Sequence, residues 1–188
     1  QVIADHHQPN LATLFDTYAI TGGLPKHLEL LVENQALGKK AMIEFILKPH
    51  SPFVTEGKTH LIEAFGRDYG TYFSILELIA SGKTARSEVE SILNIHTGAY
   101  LEKLENDYAL IDRHRPVTAK PGGRLVKYFI RDNFLDFWFR FIHRHHSAIE
   151  TGNFGYLHDI IERDYATWSG HLLERFFREL LAEIGRAH

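Results

Sequence analysis

From Leu11 to Leu31 apolar residues recur at helical spacing, and the period is interrupted once, by Thr21-Gly22-Gly23-Leu24-Pro25. Paired glycines followed by proline predict a stop and a restart: two flexible residues, then proline in the first turn of a new helix. Another helical stretch runs from about Lys39 to Leu47 and ends at Lys48-Pro49-His50-Ser51-Pro52, whose two prolines predict a linker. A short helix from about Thr59 to Phe65 is expected next, leading into Gly66-Arg67-Asp68-Tyr69-Gly70.

The most legible stretch follows. Tyr72, Ile75, Leu76 and Ile79 form one apolar stripe closed by Ser81-Gly82. Thr84 can cap a second short helix that carries Val89, Ile92 and Leu93 inward. Thr97 can cap a third, with Tyr100, Leu101, Leu104 and Tyr108 on its buried side. Then the period changes. Leu110-Ile111 and Pro116-Val117 predict an edge strand, and Lys120-Pro121-Gly122-Gly123 a turn. Val126, Tyr128 and Ile130, alternating with Leu125, Lys127, Phe129 and Arg131, predict a half-buried strand. Three short helices and a hairpin make a winged helix-turn-helix.

Asp132 can cap a helix through Phe134, Leu135, Phe137, Trp138, Phe139, Phe141 and Ile142, apolar on almost every face and so expected to be buried. A last amphipathic helix is expected from about Gly170, with Leu172, Leu173, Phe176, Phe177, Leu180 and Leu181 inward. The fold class is mainly α: a helical segment, a winged helix with a β-hairpin wing, then C-terminal helices.

Charge narrows the chemistry. A formal net charge of -3 gives no bulk attraction to nucleic acid or anionic membrane, so any basic footprint is local. With no cysteines, thiol catalysis, cysteine-ligated zinc and disulfides are all excluded, a usage that fits a cytoplasmic protein. No apolar run approaches the ~20 residues of a membrane span. The start at Gln1 and the stop at His188 read as cuts through a longer protein.

Two Gly-Lys-Thr triplets, at 57–59 and 82–84, imitate a phosphate loop. The required earlier glycine is replaced by Pro52 in one and Glu77 in the other, so neither qualifies. Gly22-Gly23-Leu24-Pro25-Lys26 is a helix start with a cation beside it, suited to an anion or simply to starting a helix. His143, His145 and His146 lack a companion carboxylate motif and read as solvated histidines at a helix end. The third helix of the winged motif, normally the DNA reader, carries Glu102, Lys103, Glu105 and Asp107. The wing carries Arg113, Arg115, Lys120, Arg124, Lys127 and Arg131, opposed within it only by Asp112. Such a strip can touch a phosphate backbone without reading bases, and a winged helix used purely for packing is an equal reading.

Several strings together resemble one family. These are Gly22-Gly23-Leu24-Pro25-Lys26, Tyr72-Phe73-Ser74-Ile75-Leu76 to Ala80, Tyr100-Leu101 with Leu104, and Arg115-Pro116-Val117-Thr118. The most specific is the run from Tyr128-Phe129-Ile130-Arg131-Asp132 through Trp138-Phe139-Arg140-Phe141. Ile149-Glu150 and Gly170 followed by Leu173-Glu174 continue it. The chain thereby resembles the archaeal and bacterial P-loop ATPases of the AAA/STAND group, from about Leu11 to its end. Two packing positions depart from the pattern, His27 for tyrosine and Leu173 for phenylalanine.

The resemblance implies an ATPase lid remnant over 1–48, a linker and short helix over 49–69, and the winged helix over 70–131. Over 132–188 it implies the start of a nuclease-like domain of the PD-(D/E)XK kind. Lys26, with Gly22, Gly23 and Pro25, would sense the γ-phosphate of ATP in the full protein, where ATP and Mg are the implied cofactors. Glu174 would stand where such nuclease cores carry their first-helix acid. The chain alone is expected to be non-catalytic and metal-free, an output module for its own missing ATPase domain. Non-specific DNA is a possible partner, and a metal-dependent nuclease a further alternative. A homodimer is expected through the helices at 132–146 or 170–184, and no membrane partner is expected.

Overall fold

The computed structural model describes residues 10–114 and 126–186. The chain is mainly helical with a small antiparallel hairpin, and it divides into two compact units, 1–51 with 147–188 and 52–146. Residues 132–146 group with the winged segment, and 147–188 group with the first 51 residues.

In the first unit, α1 (Leu11–Thr21) opens on Asn10, whose side chain accepts from the Thr13 N–H at 2.8 Å. It closes on Gly22 at φ 64°, whose N–H donates to the Tyr18 carbonyl. Helix α2 (Pro25–Glu33) carries proline in its first turn, and α3 (Lys39–Ile46) follows. The C-terminal helix of this unit is a single long rod, α10 (Phe154–Arg186), which packs on α1. Ile20, Leu31, Met42, Ile43, Leu157 and Ile161 are fully or almost fully buried.

Two polar ties fasten that core. The Tyr165 hydroxyl donates to Asp16 Oδ1 at 2.8 Å, joining α10 to α1. Lys39 Nζ lies 2.8 Å from Glu162 Oε2 and 5.1 Å from the centre of the Tyr165 ring, joining α3 to α10. The expectation that α10 starts near Gly170 is corrected. Gly170 lies within the helix, where one glycine costs about 1 kcal/mol relative to alanine and does not break a well-packed rod. The inward placement of its apolar residues is corrected too. Leu172 is buried, but Leu173, Phe176, Phe177, Leu180 and Leu181 are exposed.

The second unit begins with α4 (Pro52–Phe65). Pro52 is thus the first helical residue and not part of a linker, in keeping with proline's fit to that position. A single 3-10 turn (Gly66–Asp68) leads to α5 (Tyr69–Ala80), α6 (Arg86–Leu93) and α7 (Gly98–Asn106). Strands β1 (Ile111–His114) and β2 (Lys127–Ile130) pair antiparallel, with Ile111 opposite Ile130 and His114 opposite Lys127. A short third rung is added by Ala85 bridging Lys127, with the Tyr128 N–H donating to the Thr84 carbonyl at 2.8 Å. Thr84 therefore pairs with the wing and does not cap α6. The Glu88 carboxylate takes the cap role, accepting from the Ala85 N–H at 3.1 Å. Ile92 is half exposed instead of turned inward, because α6 buries only Val89 fully. The stretch 115–125, with Pro116, Val117 and the Lys120 turn, lies outside the described residues.

After the wing, Asp132 caps α8 (Asn133–Phe137), its side chain accepting from the Leu135 N–H at 2.8 Å. The helix widens into a π turn over Trp138–Ile142, followed by a 3-10 turn over His143–His145 and the short α9 (His146–Glu150). Phe134, Phe137, Trp138, Phe139, Phe141 and Ile142 are all buried. Trp138 is pinned by its indole N–H, which donates to the Val54 carbonyl of α4 at 3.0 Å. Most of this aromatic run is therefore covered within the chain, which leaves little of it for the homodimer expected through 132–146.

Candidate functional site

The Gly22–Lys26 turn is built as a change of direction between two helices. Gly22 and Gly23 both take left-handed backbone, φ 64° and 78°, which glycine adopts at no steric cost. The Gly23 N–H donates to Thr21 Oγ1 at 3.2 Å, while that hydroxyl donates back to the Thr17 carbonyl at 2.6 Å. Pro25 then starts α2, and Lys26 is exposed in its first turn. A helix start directs its first N–H groups and the positive end of its dipole outward. With a lysine alongside, this corner can contribute one cationic contact to an anion held mainly by other groups.

The wing is less basic than its composition suggests. Arg131 Nε lies 2.6 Å from Asp112 Oδ1, and Arg113 Nε lies 3.4 Å from Glu105 Oε1 of α7. Two of the strip's cations are thus already balanced, one of them by an acid from outside the wing. Lys127 is exposed on β2. Arg115, Lys120 and Arg124 lie outside the described residues. On α7 Glu102 and Lys103, with Asp107 at its C-cap, face solvent, an acidic balance where a DNA reader carries positive charge.

Glu174 sits on the exposed C-terminal half of α10, paired to Arg178 one turn on at 2.6 Å. Among the described residues no group of three or more His, Asp or Glu side chains is arranged to hold a metal ion.

A cluster that sequence reasoning missed lies at the C-terminal end of α5. Arg140 Nη1 donates to the Ala80 carbonyl at 2.9 Å, and Arg144 donates to the Ser81 hydroxyl. Both guanidinium groups thereby stabilise the end of a helix dipole. Between them His143 stacks on the Trp138 ring, centroids 5.3 Å apart and planes 20° apart, with the Phe73 ring set edgewise at 5.0 Å. Its Nε2 lies 3.6 Å from Glu77 Oε2.

Burial, then the charges of His146 and Lys58, push the His143 imidazole down to about 4. Burial pushes the Glu77 carboxyl up, against the opposing pull of Arg144 and His146. Near neutral pH the His143 ring is therefore neutral, and its contact with Glu77 is not an ion pair. The expectation of solvated histidines is corrected for His143. Residues five apart diverge on an α-helix but align across a π turn, so Trp138 and His143 come face to face. A reading at α period had no means of pairing them.

Comparison with known proteins adds one relative. The chain is 28% identical over 175 residues to a protein of Methanocaldococcus jannaschii whose name says only that it is uncharacterized. That alignment covers 92% of this chain and 38% of the relative, so the chain spans well under half of the relative's length. No protein-family model matches the chain, and no solved structure matches it. No helix among the described residues is long and apolar enough to cross a membrane.

Proposed function

We propose that this chain is the lid, winged-helix and output portion of a longer, cytoplasmic, ATP-binding and ATP-hydrolysing P-loop ATPase of the AAA/STAND group. The observation that carries the reading is the Gly22–Lys26 corner, where two left-handed glycines deliver an exposed lysine onto the first turn of a helix. That arrangement suits a single cation reaching toward a terminal phosphate bound elsewhere, with Mg and the rest of ATP held by a P-loop domain. Lys26 would neutralise charge there, Gly22 and Gly23 would set its approach, and Pro25 would fix the helix start. The winged helix and α10 would transmit the nucleotide state to a partner.

The test is ATP turnover by the longer protein with Lys26→Ala. Turnover should drop at least ~10-fold with the melting temperature unchanged, the size expected for losing one charge-stabilising group. Unchanged turnover, or micromolar ATP binding by the 188-residue chain alone, would sink the reading.

The wing supports a second and weaker reading, non-specific DNA contact through Lys127 and its neighbours. Its paired arginines argue for low affinity. A nuclease role for Glu174 has less support still, since that side chain is held in a surface ion pair with Arg178.

A further inference from the structure

The exposed half of α10 carries an apolar stripe that a helix in water does not ordinarily present. Phe177 is 51% exposed, Leu181 67% and Ile184 50%, with Leu173, Phe176 and Leu180 exposed on the same side. Leu173, Phe177, Leu180 and Ile184 follow one another at intervals of four, three and four, the spacing of a two-helix seam. The stripe continues onto α1, where the exposed Tyr18 ring meets Phe176 edge-on at 6.3 Å. Flanking it are Glu174 and Glu183, both exposed, which form a polar rim.

Size decides what this surface is for. Those six side chains leave roughly 600 Å² of mostly apolar area in water, at the upper end for the largest patch on an ordinary monomer. Two such stripes facing each other bury roughly 1,200 Å², enough for a specific two-fold interface. A single seam of this kind is also self-complementary, because aromatic Phe177 can sit across from aliphatic Leu180.

We infer that two copies of this chain pair through residues 173–184 of α10, antiparallel and about a two-fold axis near Phe177 and Leu180. The direction follows from the rest of the helix. Helix α1 meets α10 at Tyr165 and at Phe176, on the N-terminal side of the seam's centre, so parallel pairing would bring both copies' α1 to the same level along the seam. Antiparallel pairing sends the two packed halves to opposite ends and sets the helix dipoles against each other favourably. Leu173 of each copy then lies across from Ile184 of the other.

Sedimentation equilibrium on the 188-residue chain tests the pairing, with a dimer dissociation constant on the order of 10 μM or tighter expected. The double variant Phe177→Glu with Leu180→Glu should weaken it at least ~100-fold while leaving the circular dichroism unchanged, since both side chains are exposed. Because the chain has no cysteine, direction can be read from single-cysteine variants. Leu173→Cys and Ile184→Cys should form a mixed disulfide when combined and none when each is alone. A chain that stays monomeric at 100 μM overturns the inference, whether the stripe stays wet or another part of a longer polypeptide covers it. A dimer indifferent to the double variant, or one in which each cysteine variant cross-links to itself, overturns it equally.

Discussion

The Tyr165 hydroxyl reaches Asp16 across 149 residues of chain and donates to Oδ1 at 2.8 Å from a ring that is itself buried. Burial and the Asp16 carboxylate both push the phenol upward, so it remains a donor at any working pH. Replacing it with phenylalanine keeps the ring and strands the carboxylate. Tyr165→Phe should cost about 1–3 kcal/mol, the value of a partly buried hydrogen bond to a charged acceptor, measured by urea denaturation. Asp16→Asn, which leaves an oxygen to accept, should cost less.

Trp138→Ala should be among the most damaging single changes in the chain. It empties a buried indole site and orphans the Val54 carbonyl. We expect a loss of about 3–5 kcal/mol, read as a lowered midpoint in a denaturant titration. A Trp138→Ala protein that melts like the parent would contradict the packing described for the aromatic run.

The His143 ring is held down at about 4 in the folded chain, whereas in the unfolded chain it titrates near 6.5. Between those values the unfolded state carries the extra proton. The stability associated with a neutral His143 is therefore complete above about 6.5 and is lost as pH falls toward 4. Glu77 is shifted upward, so its contribution runs the other way and declines as pH rises above the ordinary carboxyl range. The displacement of His143 is the larger, and its slope should dominate. An NMR titration should find its ring neutral at pH 5.5, and His143→Gln should flatten the decline between 6.5 and 4.

A side chain at either position of the glycine corner should cost stability. Gly22→Ala and Gly23→Ala each place an L residue in left-handed backbone, at about 1–2 kcal/mol apiece. At Gly23 the added Cβ would stand 3.8 Å from the Tyr18 ring, an ordinary contact, so the cost there is conformational and not steric. Thermal melting of the two variants measures it.

Removing the acids that balance the wing should reveal how much charge they hold back. Glu105→Gln with Asp112→Asn frees Arg113 and Arg131. Fluorescence anisotropy with random-sequence DNA should then show several-fold tighter binding at low salt. The salt slope should steepen by up to about two phosphate contacts. A slope that does not move would mean that these arginines never face a phosphate backbone.

Glycine stops and proline starts were the most legible features, since they depend on single residues with local mechanisms. Gly22, Pro25 and Asp132 each act where such chemistry places them, whereas neither Thr84 nor Thr97 caps its helix through its side chain. Apolar periodicity found the helices of the winged segment, most clearly α5, which buries the stripe Tyr72, Ile75, Leu76 and Ile79. It misjudged α10, because the buried and exposed stripes there are made of the same residue types. Leu172 and Leu173 differ only in which side of the rod they occupy. The histidine cluster stayed invisible because a π turn alters the spacing at which side chains meet. The pairing of Arg113 with Glu105 was hidden for another reason: a hairpin brings a neighbouring helix's carboxylate to a strand whose own sequence looks uncompensated.

The segment from Pro52 to His146 is inserted between the two halves of the first unit. During synthesis the inserted segment emerges with every residue it needs, whereas the first unit waits for Tyr165 and the rest of α10. Domains tend to fold as units in the order they leave the ribosome. The winged helix can therefore be complete while α1 and α3 still expose the apolar faces that α10 later covers. Nascent chains stalled just after His146 has cleared the ribosomal tunnel should hold a protease-resistant core from the middle of the sequence and a digestible beginning. That is the reverse of the usual order, in which the earliest residues are the first to be protected.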